Sequence, residues 1–298
     1  MEANFRWAAI TAIAPVAWGT SYFVTHEFLP AEYPLYGSII RALPAGLLLL
    51  AITRQRPRGS WWWKAAVLGT LTMGAFFALV YVAAQLLPTS IASTVMAAAP
   101  VVMMLLAWAI VAERPRITQL VGAGVGIVGA CLMLLTGVGE LNGLGLLASL
   151  AAMVMSSLGF VLSKRWSGEI DVTSLTSWQL IAGGVVLIPF AVAAEGAPPA
   201  LDVSELLAFA YLSVIGTAVA FVAWFTGLRH LGAGTVGLIG LLNPVTGVLL
   251  GTVLAGELLS ARQALGIALV LVGVLLGQPP VMRILAHVRR RWRAWISV

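Results

Sequence analysis

Few side chains in this sequence can do chemistry inside its long apolar runs. Arg41 is the cation set deepest in one of them, about eight residues from the run's outer end, and two roles are open to it. It can snorkel outward to pair with Glu27 or Glu32, the reading that asks least of the chain, or it can bind a substrate carboxylate. Asn243 is a polar group beside Pro244, with no counterpart at Ala99, its position 144 residues earlier. It serves either a helix–helix hydrogen bond or a substrate contact. Pro100 and Pro244 lack an N–H and each frees a carbonyl one turn earlier, at Met96 and Gly240. Such carbonyls go with a kink that aids packing or gating, and near a bilayer midplane they can also hold an ammonium group.

What is missing narrows the chemistry further. No Asp or Glu lies inside an apolar run, which argues against proton-coupled export of cationic drugs. A carrier of sugar nucleotides or phosphorylated sugars would present several buried Lys or Arg, and here Arg41 stands alone. A neutral or zwitterionic small solute fits best, moved by its own gradient. His26, His230 and His287 are scattered, Cys131 is single, and no carboxylate pair falls within a run. Neither a catalytic site nor a metal or cofactor site is expected. An enzyme acting on lipid would need His or Asp clustered at one membrane face.

The aromatic residues divide in two. Trp7, Trp61, Trp62, Trp63, Trp166, Trp292 and Trp295 flank basic segments and read as interfacial anchors. Trp18, Tyr22, Phe77, Tyr81, Phe160, Phe221, Trp224 and Phe225 lie deeper. Met73, Phe77 and Tyr81 share one helix face, as do Thr217, Phe221 and Phe225. Such faces can simply pack. They can also wall a cavity lined by Trp18, Met73, Phe77, Phe221 and Asn243, gated by Tyr22 and Tyr81 on one side and Phe160 and Phe225 on the other. An aromatic or bulky aliphatic amino acid suits such a cavity.

These residues are positioned by apolar helices. The chain has 298 residues, 60% hydrophobic and 9% charged, with mean hydropathy +1.00. A soluble domain needs roughly a quarter of its residues charged. With about 20 apolar residues per crossing, ten spans fit, near 5–25, 33–53, 61–86, 89–111, 118–136, 143–166, 172–194, 203–229, 233–255 and 262–280. With the N-terminus inside, fifteen of the seventeen basic residues fall on inner segments, all except Arg41 and Arg262. That bias sets the expectation of N-in, C-in topology. It also accounts for the +6 net charge without nucleic acid. The tail Arg289-Arg290-Arg291-Trp292-Arg293 should lie on anionic lipid.

A duplication orders the spans. Pro100/Pro244, Glu113/Glu257, Gln119/Gln263, Gly122/Gly266 and Gly129/Gly273 are all 144 residues apart, as are Phe77/Phe221 and Tyr81/Phe225. At an offset of 138, Tyr22 meets Phe160, Arg41 meets Gln179 and Gly46 meets Gly184. Five spans per half put the second half into the membrane inverted. Residues 1–137 and 138–280 are then the two halves, with 281–298 an inner tail. Glu113 and Glu257 read as caps at the start of the helix that follows each. The glycines read as close-packing positions that also permit, without indicating, an oligomer. Inverted repeats let one fold exchange access between two sides around a midplane site. A receptor or scaffold has no need of them, although a channel remains open.

Trp18-Gly19-Thr20-Ser21-Tyr22, Arg41, the two proline-centred helices and the paired Glu-to-Gln-x-x-Gly turns resemble the EamA repeats of the drug/metabolite transporter superfamily. The resemblance covers residues 5–280 and is greatest to the YddG-type aromatic amino-acid exporters. It implies an all-α integral membrane protein of ten helices and a multi-pass exporter of the bacterial inner membrane. Aromatic or hydrophobic amino acids are the first expectation for its cargo. Another neutral metabolite or a drug-like compound is the second.

Overall fold

The computed structural model describes residues 2–29, 32–87, 89–135, 142–254 and 259–278. The side chains of Tyr22, His26 and Glu27, together with Glu257 and the basic tail, lie outside the described residues. All regular structure among the described residues is helical: α1 (Glu2–Phe28), α2 (Pro34–Thr53), α3 (Trp61–Gly69), α4 (Ala75–Leu86), α5 (Thr89–Met96), α6 (Ala99–Val111) and α7 (Ile117–Leu134). There follow α8 (Gly143–Ser167), α9 (Val172–Glu195), α10 (Val203–Ser213), α11 (Ala220–His230), α12 (Ala233–Gly240), α13 (Leu242–Leu254) and α14 (Ala261–Leu276). π-helical turns at Thr70–Gly74 and Val214–Val219 join α3 to α4 and α10 to α11. Counted through these joins and the short turns at the prolines, nine described helical segments are long and apolar enough to cross a membrane. α14, with 16 residues, is a shorter apolar helix.

The interruptions have local causes. Pro100 stands in the first turn of α6, where its missing N–H costs nothing. α5 has ended at Met96, and 3.1–3.2 Å bonds from Ala97 N to Thr94 O and Ala98 N to Val95 O tighten the turn between them. Leu241 makes the matching turn, with its N–H on Leu238 O at 3.1 Å. Each proline therefore stands in the first turn of a new half-helix, where the sequence predicts a kink within one helix. The π turns at 70 and 214 are 144 residues apart, as are the turns at 97 and 241.

Glycines bring the helices into backbone contact. A Cβ on Gly122 would lie 2.5 Å from the Gly273 carbonyl oxygen, and one on Gly129 would lie 2.6 Å from that of Gly266. As the number rises on α7 it falls on α14, so the two helices run antiparallel. A Cβ on Gly46 would lie 2.7 Å from Ile181 Cγ1, and one on Gly184 would lie 2.7 Å from Leu43 Cδ2. α2 and α9 thus cross in the same antiparallel sense. Outward faces carry exposed apolar side chains such as Leu47, Trp108, Val185 and Leu271, as expected of surfaces in hydrocarbon.

Carboxylates tie helix ends together. Glu195, closing α9, accepts the Leu35 and Tyr36 N–H groups at the start of α2, at 2.6 and 2.9 Å. Glu113 caps a helix, but not the one that follows it. Its Oε2 accepts the Ala233 N–H of α12 at 2.8 Å, and its Oε1 pairs with Lys164 Nζ of α8 at 2.5 Å. The start of α7 instead uses Gln119, whose Oε1 accepts the Arg116 N–H at 3.0 Å. The structural reading of Glu113 holds, with the capped helix corrected.

Candidate functional site

Five aromatic rings meet where α1, α8 and α11 pass the break between α12 and α13. Trp18 packs on Phe221 and Trp224 with centroids 5.1 and 5.2 Å apart. Phe160 packs on Trp224 at 5.4 Å and edge-on to Phe225 at 6.0 Å. Phe221 and Phe225, one turn apart on α11, are separated by 6.1 Å. These offset and tilted arrangements suit the ring quadrupoles. The helix break touches the cluster directly. A Cβ on Gly240 would lie 3.2 Å from Trp224 Cη2, and one on Gly19, next to Trp18, would lie 2.9 Å from the Asn243 carbonyl oxygen.

Two polar atoms in this region are buried without a hydrogen-bond partner among the described residues: Trp224 Nε1 and Asn243 Oδ1. A buried donor or acceptor left unmade costs about 1–3 kcal/mol, so such atoms are rarely retained without use. The helix–helix hydrogen bond open to Asn243 from the sequence is thus not made by its Oδ1.

Arg41 sits at the π turn that precedes α11. Its Nε donates to Thr217 Oγ1 and its Nη2 to the Gly216 carbonyl, both at 3.0 Å, and its guanidinium lies 5.8 Å from the centroid of the Phe77 ring. The guanidinium thus meets a backbone carbonyl within the π turn that precedes α11. These bonds are not all that Arg41 makes. Gln179, its counterpart at the offset of 138, meets the other π turn through neutral groups. Its Oε1 lies 3.4 Å from Thr72 Oγ1, within the other π turn, and 3.2 Å from Ser163 Oγ. In the sequence Arg41 faces an uncharged Gln179 at this offset. The arginine's position is duplicated, and its charge is not.

The expected wall and gates are brought together in part. Trp18, Phe221, Phe160 and Phe225 share the cluster, with Asn243 beside it. Phe77 faces Arg41 and packs both on the core that holds Phe221 and Trp224 and on the one around Leu35 and Tyr36. Met73 is fully buried, and a Cβ on Gly183 would lie 2.4 Å from its own Cβ, so it is a packing residue between α3–α4 and α9. Tyr81 packs with Phe77 beside Leu35, Tyr36 and Leu187 rather than in the cluster. Trp224 is the residue missing from the expected wall. Its deep position was readable in the sequence, but its orphaned N–H depends on tertiary neighbours.

A separate cavity of about 320 Å³ opens where the α6–α7 turn meets the α11–α12 junction, lined by Asn4, Glu113, Arg114, Arg116, His230 and Thr235 among others. His230 Nδ1 lies 2.9 Å from the Thr226 carbonyl, and its ring stacks on Trp7 with centroids 3.6 Å apart. Trp7 therefore packs on the protein as well as marking an interface.

Comparisons with known proteins agree with this architecture. The model of the EamA-like transporter family matches residues 5–135 and 143–277. Protein PecM of Dickeya dadantii (strain 3937) is 34% identical over 267 residues, covering 89% of this chain and 90% of its own. The uncharacterized inner membrane transporter YedA of Escherichia coli (strain K12) is 29% identical over 268 residues, covering 88% and 87%. A crystal structure of a protein 21% identical in sequence superposes with a TM-score of 0.82, covering 94% of this chain and 98% of that one, and so shares the fold. With both halves of its length matched, this multi-pass membrane protein belongs to the EamA-like transporter family, within the drug/metabolite transporters.

Proposed function

We propose that the protein is an alternating-access exporter of small neutral or zwitterionic metabolites, first among them aromatic and hydrophobic amino acids. The observation that carries this reading is the five-ring cluster beside the helix break, with its buried donor and acceptor. Aromatic walls with few polar groups favour a flat apolar body, and a half-helix end favours a compact charged head. The absence of Asp and Glu from the middle of the apolar runs favours facilitative movement. This profile also fits the YddG-type resemblance and a place in a bacterial inner membrane.

Alternating access is supported by the paired features. We read ten spans as two inverted five-helix repeats, 1–137 and 138–280, N-in and C-in. Antiparallel contacts between mates, α7 with α14 and α2 with α9, are what an inverted repeat produces. The mates also differ in burial. Phe221 and Phe225 are 5% and 3% exposed, while Phe77 and Tyr81 are half-buried. In this reading the inner aromatic layer is closed and the outer one open, with Pro100 and Pro244 at the joints.

Counterflow in liposomes tests this. Purified protein should exchange phenylalanine, tryptophan, tyrosine or leucine saturably, and leave phosphorylated sugars untouched. Tyr81→Ala and Phe225→Ala should each lower the exchange rate at least several-fold. Unchanged transport in both variants would sink the gate assignment. Exchange of nucleosides alone would move the substrate to another neutral metabolite, and exchange of phosphorylated solutes alone would overturn the charge argument.

A further inference from the structure

We infer that Trp224 and Asn243 are the two polar poles of the substrate site and select solutes bearing both an N–H donor and a carboxylate on one α-carbon. The inference deepens the exporter reading and rests on it. Trp224 is 3% exposed and its indole N–H has no acceptor among the described residues. Asn243 Oδ1 is a buried acceptor without a donor. Both flank the same stretch of α1: Trp18 packs on Trp224, and Gly19 runs against the backbone of Asn243. Trp224 in turn packs over Gly240, three residues before Asn243 across the helix break.

One orphan is a donor and the other an acceptor, so a ligand that satisfies both carries the complementary pair. The indole N–H meets a carboxylate oxygen, and the amide oxygen meets an ammonium hydrogen. An α-amino acid offers both groups on one carbon, and its side chain then falls among Trp18, Phe160 and Phe221. A solute lacking either group leaves a buried pole unmade, which is the strongest form of rejection a binding site has. The pair also belongs to one half of the chain alone. The counterparts of Trp224 and Asn243 at the offset of 144 are Val80 and Ala99, both apolar. A hydrogen bond required by the fold itself would be expected in both halves, as Arg41 and Gln179 illustrate.

The test compares phenylalanine with phenethylamine, which lacks the carboxylate, and 3-phenylpropionate, which lacks the ammonium, in proteoliposome counterflow. The wild type should prefer phenylalanine to both. Trp224→Phe keeps a ring and removes the N–H, so it should cut the preference over phenethylamine by about tenfold and leave that over 3-phenylpropionate. Asn243→Ala should do the converse. Neither variant removes a bond made within the protein, so the substrate-free melting temperature should hold or rise while the substrate-induced shift is lost. Wild-type preferences retained in both variants would overturn the inference. So would a melting temperature lowered by Asn243→Ala and equally by the bulkier Asn243→Leu, since the amide would then be holding the fold. If the wild type exchanges none of the amino acids, the exporter reading fails first and takes this inference with it. That case is distinguished by the unmutated protein.

Discussion

Arg41 and Gln179 show how one position serves two chemistries. Each reaches from a helix of one half to a π turn of the other, Arg41 to Gly216 and Thr217, Gln179 to Thr72. Hydrogen bonds to a charged donor contribute about 1.5–3 kcal/mol each, against roughly 1 for neutral ones. Arg41→Ala, which removes two such bonds, should therefore lower thermal stability in detergent by about 3–6 kcal/mol. Arg41→Gln, which copies the other half, should lose less than half as much. Equal losses in the two variants would show that charge contributes nothing there. That Arg41 matters was legible from its place in an apolar run. Its bond to Gly216 was not, because the carbonyl it meets lies in a π turn that no residue type announces.

At the scale of elements, the glycine spacing was the most readable signal and the helix joints the least. Gly122, Gly129, Gly266 and Gly273 stand seven apart within each half, and a seven-residue interval returns to the same helix face. The structure puts backbone against backbone at all four. A Cβ on Gly273 would lie 2.4 Å from Gly122 O and 2.8 Å from Gly126 N, so Gly273→Ala has to part α7 from α14. It should cost about 1–3 kcal/mol of stability, the range for overpacking. Gly124 has nothing within 4 Å, and Gly124→Ala should be neutral or slightly stabilising. Unfolding midpoints measured side by side decide it, and similar losses in both would remove the close-contact argument. The prolines marked where the chain is interrupted. Whether each bends a helix or begins another was undecidable from sequence, since a proline at N1 and one mid-helix have the same neighbours in the chain. For the candidate site, ring types and depth were legible, while the company each ring keeps was not: Phe77 also meets Arg41, and Trp224 joined the group.

For the whole molecule, the difference in burial between mates predicts which layer reagents reach. In a Cys131→Ala background and with the proposed N-in topology, Phe77→Cys should react with a membrane-impermeant thiol reagent added from the outer side. Phe221→Cys should be protected from both sides. Equal labelling of the two would contradict a closed inner layer. Addition of a transported amino acid should slow modification at residue 77 and expose residue 221, as access changes sides.

The antiparallel glycine contacts carry one more consequence. The close approach of Gly122 to Gly273 and that of Gly129 to Gly266 exchange under the offset of 144, so the surface that α7 offers is the surface that α14 offers in return. Such a surface is complementary to itself, as in a two-fold dimer. The peptide between α7 and α8 then contributes proximity rather than shape. A chain severed there should reassemble from two co-expressed pieces. The pairing information resides in the helices and not in their connection.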